Sequence, residues 1–117
     1  MTENEKLRNI IKSLNDKKAE DIQVIQIGDL TILADYFVIA NGTSSTHTKT
    51  LADEVEYNMS QQGIEPRGKE GHGGSNWIIL DYGDVVVHVF YKETRDYYQL
   101  ENMWADGKKL DINQFTE

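Results

Sequence analysis

A β-hairpin is the feature of this sequence that most restricts its fold. Residues 77–90 read WIILDYGDVVVHVF, two apolar runs on either side of a short polar turn. Gly83 and Asp84 suit a two-residue loop between antiparallel strands. Such a loop sets residue 77 opposite 90, residue 79 opposite 88 and residue 81 opposite 86. The register then fixes the face of the sheet on which each side chain lies, because side chains alternate along a strand.

The two faces of the predicted hairpin differ in chemistry. One face carries only aliphatic side chains and is predicted to lie against helices: Ile78, Leu80, Val85, Val87 and Val89. The opposite face, called the mixed face below, carries Trp77, Ile79, Asp81, Val86, His88 and Phe90. It has two interpretations. It can be a second core layer in which His88 is hydrogen bonded, or a recognition surface, since interface centres favour aromatic side chains with a few polar groups.

Helical periodicity indicates two helices before the hairpin. The first has its apolar stripe at residues 7, 10, 11 and 14, and Thr2 with Glu5 fits a capping box. The second has its stripe at residues 51, 52, 55 and 59, with Ser44 or Ser45 as the N-cap and Gly63 as the stop.

Strands are predicted on both sides of the second helix. Residues 21–27 and 35–41 read as strands, and the latter is apolar on both faces, as a central strand is. Residues 64–71 form a poorer strand whose Pro66 suits an edge. After the hairpin, residues 95–104 read as a helix capped by Thr94. The order of elements predicts an α/β fold, a mixed five-stranded sheet flanked by helices.

Length and charge restrict the kind of protein. The 117 residues are predicted to form a single domain, 1–117, in which residues 108–117 are a loosely held tail because their periodicity is weak. The net charge of −8 disfavours direct nucleic-acid binding and suits a basic protein partner, although acidity for solubility alone explains it equally. No apolar run approaches the roughly 18 residues of a membrane span and no signal peptide opens the chain, so a cytoplasmic protein without membrane contact is expected.

No catalytic or metal-binding motif is recognised in the chain. The three histidines lack metal-ligand spacing, and the absence of cysteine excludes thiolate chemistry. Residues 41–47, NGTSSTH, join a central strand to a helix, where backbone N–H groups can hold an anion. The same residues are explained without a ligand by Gly42 in the turn and a serine as the cap. We therefore predict no catalytic residue, no metal and no cofactor.

Five motifs together resemble the ribosomal silencing factor family, also called the Iojap family. They are DYFVIANGTSSTH, LADEV, the pair Glu70-Gly71, WIILDYGDVVVHVF and YYQLENMW, and they extend over nearly the whole chain. The resemblance implies an α/β domain with a nucleotidyltransferase-like fold and no enzymatic role. It also implies binding to the large ribosomal subunit through its fourteenth ribosomal protein. There the bound protein blocks joining of the small subunit and represses translation under nutrient limitation.

The resemblance also directs attention to particular residues. Trp77, Asp81, His88 and Tyr98 match the family motifs, and Ile79, Phe90 and Glu101 lie beside them on the predicted mixed face or the last helix. These seven residues are the predicted partner-binding site, with at most marginal contact to ribosomal RNA. An exposed aromatic face can also pair with the same face of a second copy, so a homodimer remains an alternative for the free protein.

Two other functions remain alternatives to subunit silencing. A diverged nucleotidyltransferase would use paired acids after a Gly-Ser turn, but no Asp-x-Asp follows Gly42-Thr43-Ser44. The next acids, Asp53 and Glu54, are adjacent on a helix and point in different directions. An adaptor for large-subunit assembly would bind the same ribosomal protein, and nothing in the sequence separates it from a silencing factor.

Overall fold

The computed structural model describes residues 2–28, 34–71, 76–92 and 108–116. Within these ranges, helices pack on a sheet of six strands. The helices are α1 (Glu3–Asp16), α2 (Ser45–Gln61) and α3 (Asn113–Thr116), and the strands are β1 (Glu20–Gln26), β2 (Tyr36–Gly42), β3 (Gly68–Glu70), β4 (Trp77–Asp81), β5 (Val85–Tyr91) and β6 (Lys108–Leu110). None of the helices in the described ranges has the length and apolarity needed to cross a membrane.

The sheet is mixed, as the order of elements predicts. Its strand order is β3-β4-β5-β2-β1-β6. β2 and β5 pair in parallel at the centre, and the other neighbours pair antiparallel. β3 lies at one edge of this sheet, where Pro66 indicated an edge strand. The α/β class and the mixed sheet are confirmed, whereas the count of five strands is wrong.

The sixth strand comes from the segment that was expected to be a loose tail. β6 pairs with β1 and sets Leu110 opposite Val24. The short α3 then places Phe115 in the core with 5% of its surface exposed. The sequence prediction differs from the structure here because a three-residue strand with two lysines shows no readable alternation. Its place in the sheet comes from hydrogen bonding to β1 and from the burial of Phe115.

α1 begins at the predicted cap and buries the predicted stripe. The Thr2 hydroxyl accepts the Glu5 backbone N–H at 3.1 Å. The Glu5 carboxylate accepts the Thr2 hydroxyl rather than its backbone N–H, so only half of the expected capping box forms. Below it lies the main core between helices and sheet, which is made of Leu7, Ile10, Ile11, Leu14, Val24, Val38, Ala40, Leu51, Ala52, Val55, Met59, Ile78, Leu80, Tyr82, Val85, Val87, Val89 and Phe115.

The junction between β2 and α2 is held by contacts within the chain. The Ser44 hydroxyl accepts the His47 backbone N–H at 3.0 Å, and the Thr48 hydroxyl donates to the Ser44 carbonyl at 2.8 Å. The His47 ring accepts the Thr43 N–H at Nδ1, 2.9 Å, and its Nε2 lies 2.8 Å from the Lys17 carbonyl. These contacts favour the structural explanation of NGTSSTH over an anion site.

Gly42 is required at this junction because α2 begins against it. A Cβ at position 42 would lie 2.5 Å from the Thr48 hydroxyl oxygen and 2.6 Å from its backbone nitrogen. We expect Gly42→Ala to lower the free energy of unfolding by about 1–3 kcal/mol or more, because the helix backbone would have to move. Gly68→Ala is the matched control, since its Cβ would meet only Asp81 Cβ at 3.8 Å. Urea unfolding of both variants tests this, and equal losses would contradict it.

Candidate partner-binding face

The predicted register of the hairpin is confirmed. Trp77 lies opposite Phe90, Ile79 opposite His88 and Asp81 opposite Val86. The turn closes with the Tyr82 N–H donating to the Val85 carbonyl at 2.9 Å. Gly83 has a φ of 89°, a backbone conformation that favours glycine. The aliphatic face of the hairpin is buried against the helices, so the parity assignment holds.

The mixed face continues across the centre of the sheet. The parallel pairing of β5 with β2 sets Phe37 beside Val86 and Ile39 beside His88. Side chains from four elements form a second apolar cluster on this side of the sheet. Its buried members are Ile25, Ile27, Ala34, Ile39 and Phe90, and its half-buried members are Phe37, Trp77 and Val86. The first interpretation, a second core layer, therefore describes the middle of this face.

Aromatic rings surround His88 at the centre of the cluster. The ring centroids of Phe37 and His88 are 4.7 Å apart in an edge-on arrangement. Trp77 stacks on Phe90 at 5.0 Å between ring centroids. The Trp77 indole N–H donates to His88 Nδ1 at 3.1 Å, which fixes both side chains. This hydrogen bond is the one that the core-layer interpretation required of His88.

Burial determines the protonation of His88. The side chain is 5% exposed, and burial lowers its pKa from 6.5 to about 4. The ring is therefore neutral at pH 7, and because Nδ1 accepts the indole N–H, its proton lies on Nε2. Nε2 is buried and has no hydrogen-bond partner among the described residues. His88 is thus a neutral, desolvated ring that supports Trp77 by accepting its indole N–H at Nδ1.

Exposure divides the predicted site residues into two groups. Phe90 is fully buried and His88 nearly so, which makes them supports for the face. The rim of the mixed face is formed by three half-buried side chains of β4, where a partner can reach them: Trp77, Ile79 and Asp81. These five predicted residues are brought together on one face. Tyr98 and Glu101, with the predicted helix 95–104, lie outside the described residues.

Asp81 has a structural role that the sequence analysis did not foresee. Its Oδ1 accepts the Gly83 N–H at 2.8 Å, which stabilises the hairpin turn. The same oxygen lies 3.4 Å from Arg67 Nε, and one third of the Asp81 side chain remains exposed. The Arg67 side chain is 67% exposed, so this ion pair contributes little to stability. Sequence reasoning missed Arg67 because only the β3–β4 pairing brings it to the turn.

Phe37 is a further residue of this face that the sequence analysis did not single out. The strand 35–41 was predicted to be central, and the parallel register with β5 then places Phe37 on the mixed face. That register was not readable from either strand alone.

Gly71, next to β3, is required by a close contact with β4. Its φ is 85°, and a Cβ there would collide with the Trp77 carbonyl oxygen.

The described residues offer no cluster of three or more histidines and acids that could hold a metal ion. The two acids considered for nucleotide chemistry are directed apart. The Asp53 side chain lines a surface groove beside β3, and Glu54 forms an ion pair with Lys17 at 3.6 Å. What the mixed face offers chemically is a half-exposed apolar surface with one acid at its edge.

The buried His88 should make stability depend on pH. Between pH 4 and pH 6.5 the His88 ring is protonated in the unfolded chain but neutral in the folded protein. Stability is therefore complete above pH 6.5 and is lost as the pH falls toward 4, by about 3 kcal/mol from this residue. We expect His88→Asn, which keeps an acceptor for the indole N–H, to flatten this part of the profile. Urea unfolding of parent and variant at pH 7.5, 6 and 4.5 measures the difference.

The comparison of the two profiles removes the contribution of the carboxylates. Both proteins carry the same acids, so only the change in slope between them reports His88. A His88→Asn variant whose stability falls with pH as steeply as the parent would show that the ring is not held neutral.

Comparisons with known proteins identify the family to which this arrangement belongs. The family model described as "Ribosomal silencing factor during starvation" matches residues 1–117. The ribosomal silencing factor RsfS of Halalkalibacterium halodurans is 36% identical over 112 residues, which is 96% of each chain. That of Bacillus subtilis is 38% identical over 99 residues, 85% of this chain and 84% of the other.

More distant relatives and solved structures agree with this match. The mouse protein "Mitochondrial assembly of ribosomal large subunit protein 1" is 34% identical over 99 residues, covering 82% of this chain and 43% of the mouse protein. A crystal structure of a protein from Chromobacterium violaceum superposes with a TM-score of 0.88 at 36% identity, covering 95% of this chain and 92% of that one. The resemblance carried by the sequence motifs is thus confirmed, and the chain belongs to the ribosomal silencing factor family.

Proposed function

We propose that this protein binds the large ribosomal subunit through its mixed face and thereby blocks joining of the small subunit. The observation that supports this proposal is the half-exposed rim of Trp77, Ile79 and Asp81 above a rigid aromatic layer. Interfaces concentrate their binding energy in such aromatic anchors held in one position by their neighbours. The family name supports the ribosome as the target, and the half-exposed rim supports the mixed face as the surface that binds it.

The partner we propose on that subunit is its fourteenth ribosomal protein, as the family resemblance implies. A basic ribosomal protein suits a chain of net charge −8, which attracts it and repels the phosphates of ribosomal RNA. The mechanism is occupancy: the bound protein lowers no chemical barrier and competes for a surface. It would act in the cytoplasm, repressing translation when nutrients are short.

A non-enzymatic role is part of the same proposal. Likeness to the nucleotidyltransferase fold remains an implication of the resemblance, and a fold does not carry its chemistry with it. The sequence lacks the acid pair after Gly42-Thr43-Ser44, and Asp53 and Glu54 diverge on α2.

Assembly of the large subunit is the second candidate function. The name of the mouse relative refers to assembly of the mitochondrial large subunit, and the same surface would serve both roles. Depletion of the protein separates them: defective large-subunit particles in growing cells indicate assembly, whereas excess joined ribosomes only during starvation indicate silencing.

Trp77→Ala should weaken binding to isolated large subunits while the domain stays folded. Trp77 is half-buried on the mixed face, so its loss costs less than the roughly 3–5 kcal/mol of a fully buried tryptophan. Val87→Asp, by contrast, buries a charge in the main core and should unfold the domain. Co-sedimentation with large subunits measures binding, a subunit-joining assay measures the block, and thermal melts measure whether each variant is folded. A folded Trp77→Ala variant that still blocks joining would contradict the proposed surface.

Asp81→Asn should weaken large-subunit binding through a faster off-rate. Asparagine keeps an oxygen for the Gly83 N–H, so the turn survives while the charge is removed. Loss of one member of a desolvated ion pair costs about 2–5 kcal/mol of binding. Asp84→Asn is the matched control, since it removes the same charge from the same turn, where Asp84 pairs with Lys6 of α1. Equal dissociation rates for the two variants would show that Asp81 contacts no cation of the partner.

A further inference from the structure

We infer that a polar pocket between α1 and α2 binds a free α-amino acid with a polar side chain. The pocket encloses about 290 Å³ and is lined by Asn9, Lys12, Ser13 and Asp16 of α1 and by three amide side chains from the end of α2. Both helices cover the aliphatic layer of the sheet, so the pocket lies on the opposite side from the mixed face. The inference goes beyond the proposed function, because it adds a small-molecule site that ribosome binding does not require.

The spacing of these residues places them along the contact between the two helices. The four positions of α1 are i, i+3, i+4 and i+7, which form one face of a helix. At about 1.5 Å per residue, this face extends over two turns, about 10 Å. The opposite wall is formed by Asn58, Gln61 and Gln62. A ligand with polar groups at both of its ends would match such a lining.

The floor of the pocket is a pair of hydrogen bonds that joins the helices. Asn58 Nδ2 donates to the Ser13 hydroxyl at 2.8 Å, and this hydroxyl donates to the Asn9 backbone carbonyl at 2.8 Å. Ser13 is 1% exposed, so both of its hydrogen bonds are shielded from solvent. These contacts explain Ser13 and Asn58 as a link between α1 and α2. They do not explain the side chain of Asn9.

The Asn9 side chain carries a buried acceptor without a donor. Its Oδ1 is buried and has no hydrogen-bond partner among the described residues. A buried amide oxygen without a donor destabilises the folded protein, and the link between the helices does not need it. Because Asn9 lines the pocket, the missing donor can come from a ligand N–H or O–H bound there.

Two opposite charges at the pocket also lack partners. Lys12 and Asp16 are exposed and one turn apart, and the ion pairs formed within the described part of the chain include neither of them. Asp16 is the last residue of α1, whose last turn has no basic side chain. A carboxylate at this negative end of the helix dipole is unfavourable unless a cation lies near it. Lys17, the next residue, pairs with Glu54 instead.

These groups together select a zwitterion with a polar side chain. A ligand that is only cationic would be repelled by Lys12, and one that is only anionic would be repelled by Asp16. An α-amino acid carries both charges, so its ammonium suits Asp16 and its carboxylate suits Lys12. A side-chain amide would extend along α1 and donate an N–H to Asn9 Oδ1. Glutamine has this chemistry, and its amide oxygen can accept an N–H from Gln61 or Gln62.

The test is an NMR titration of the isotope-labelled full-length protein with L-glutamine at millimolar concentrations. We expect saturable shift changes at residues 9–16 and 58–62. N-acetylglutamine lacks the ammonium and glutamine α-amide lacks the carboxylate, so each should bind about tenfold more weakly, equivalent to about 1.4 kcal/mol. Glycine should also bind more weakly, because it is too short to reach Asn9 while it contacts Asp16.

Asn9→Ala separates binding from stability. It removes the acceptor that lacks a donor and introduces a stronger helix former, so it should not lower the urea midpoint of unfolding. It should nevertheless weaken glutamine binding about tenfold. A variant that is less stable than the parent but binds glutamine equally well would show that Asn9 serves the fold alone, which would overturn the proposal.

The charges have a matched control elsewhere on the helices. Lys12→Gln/Asp16→Asn should abolish glutamine binding, whereas Lys49→Gln/Asp53→Asn removes the same two charges at the same spacing from the exposed surface of α2 and should not change it. Equal effects of the two double variants would contradict the inference. So would equal binding of glutamine and its blocked analogues, or the absence of saturable shifts, which is the result expected if the pocket takes only water. Trp77→Ala should retain glutamine binding, which separates the pocket from the mixed face.

Discussion

The parallel pairing of β2 with β5 is the interaction on which the rest of the structure depends. Seven residue pairs run from Tyr36 opposite Val85 to Gly42 opposite Tyr91. At its start, the Asp84 carbonyl accepts the backbone N–H groups of both Asp35 and Tyr36, which ties the hairpin turn to β2. Because both strands are covered on both sides, each contributes to two separate apolar layers. A slip of this pairing by one residue would exchange the layers.

The two apolar layers contribute differently to the protein because the helices bury one completely and the other remains partly exposed to solvent. The layer under α1 and α2 is aliphatic and fully buried, so it supplies most of the hydrophobic stabilisation. The other layer ends in a half-exposed rim and contains His88, which must stay neutral to remain there. A polar group at that position is tolerated because Trp77 satisfies one of its nitrogens. The same hydrogen bond holds Trp77 in one orientation, which would lower the entropy lost on binding by a partner that contacts this side chain.

The parts of the fold that follow local rules could be predicted from the sequence. The hairpin register followed from alternation and from Gly83, and the two longer helices followed from their stripes and caps. β6 and the burial of Phe115 depend on contacts distant in sequence, so no local pattern revealed them. Trp77 and Ile79 were placed correctly by parity. The role of Asp81 in the turn was missed because an acid before a turn and an acid at an interface look the same in one sequence.

The close approach of Gly71 to the Trp77 carbonyl has a consequence for how such a surface can change. The backbone at the start of β4 is held in place from behind by residue 71, which has to stay glycine. Of the three half-buried side chains of β4, only Ile79 can be exchanged without loss of a described hydrogen bond, because Trp77 also holds His88 and Asp81 also holds the turn. A library that varies position 79 while keeping Gly71 would therefore change the exposed surface and leave the backbone beneath it in place. The variable part of this face is thereby separable from the scaffold that presents it.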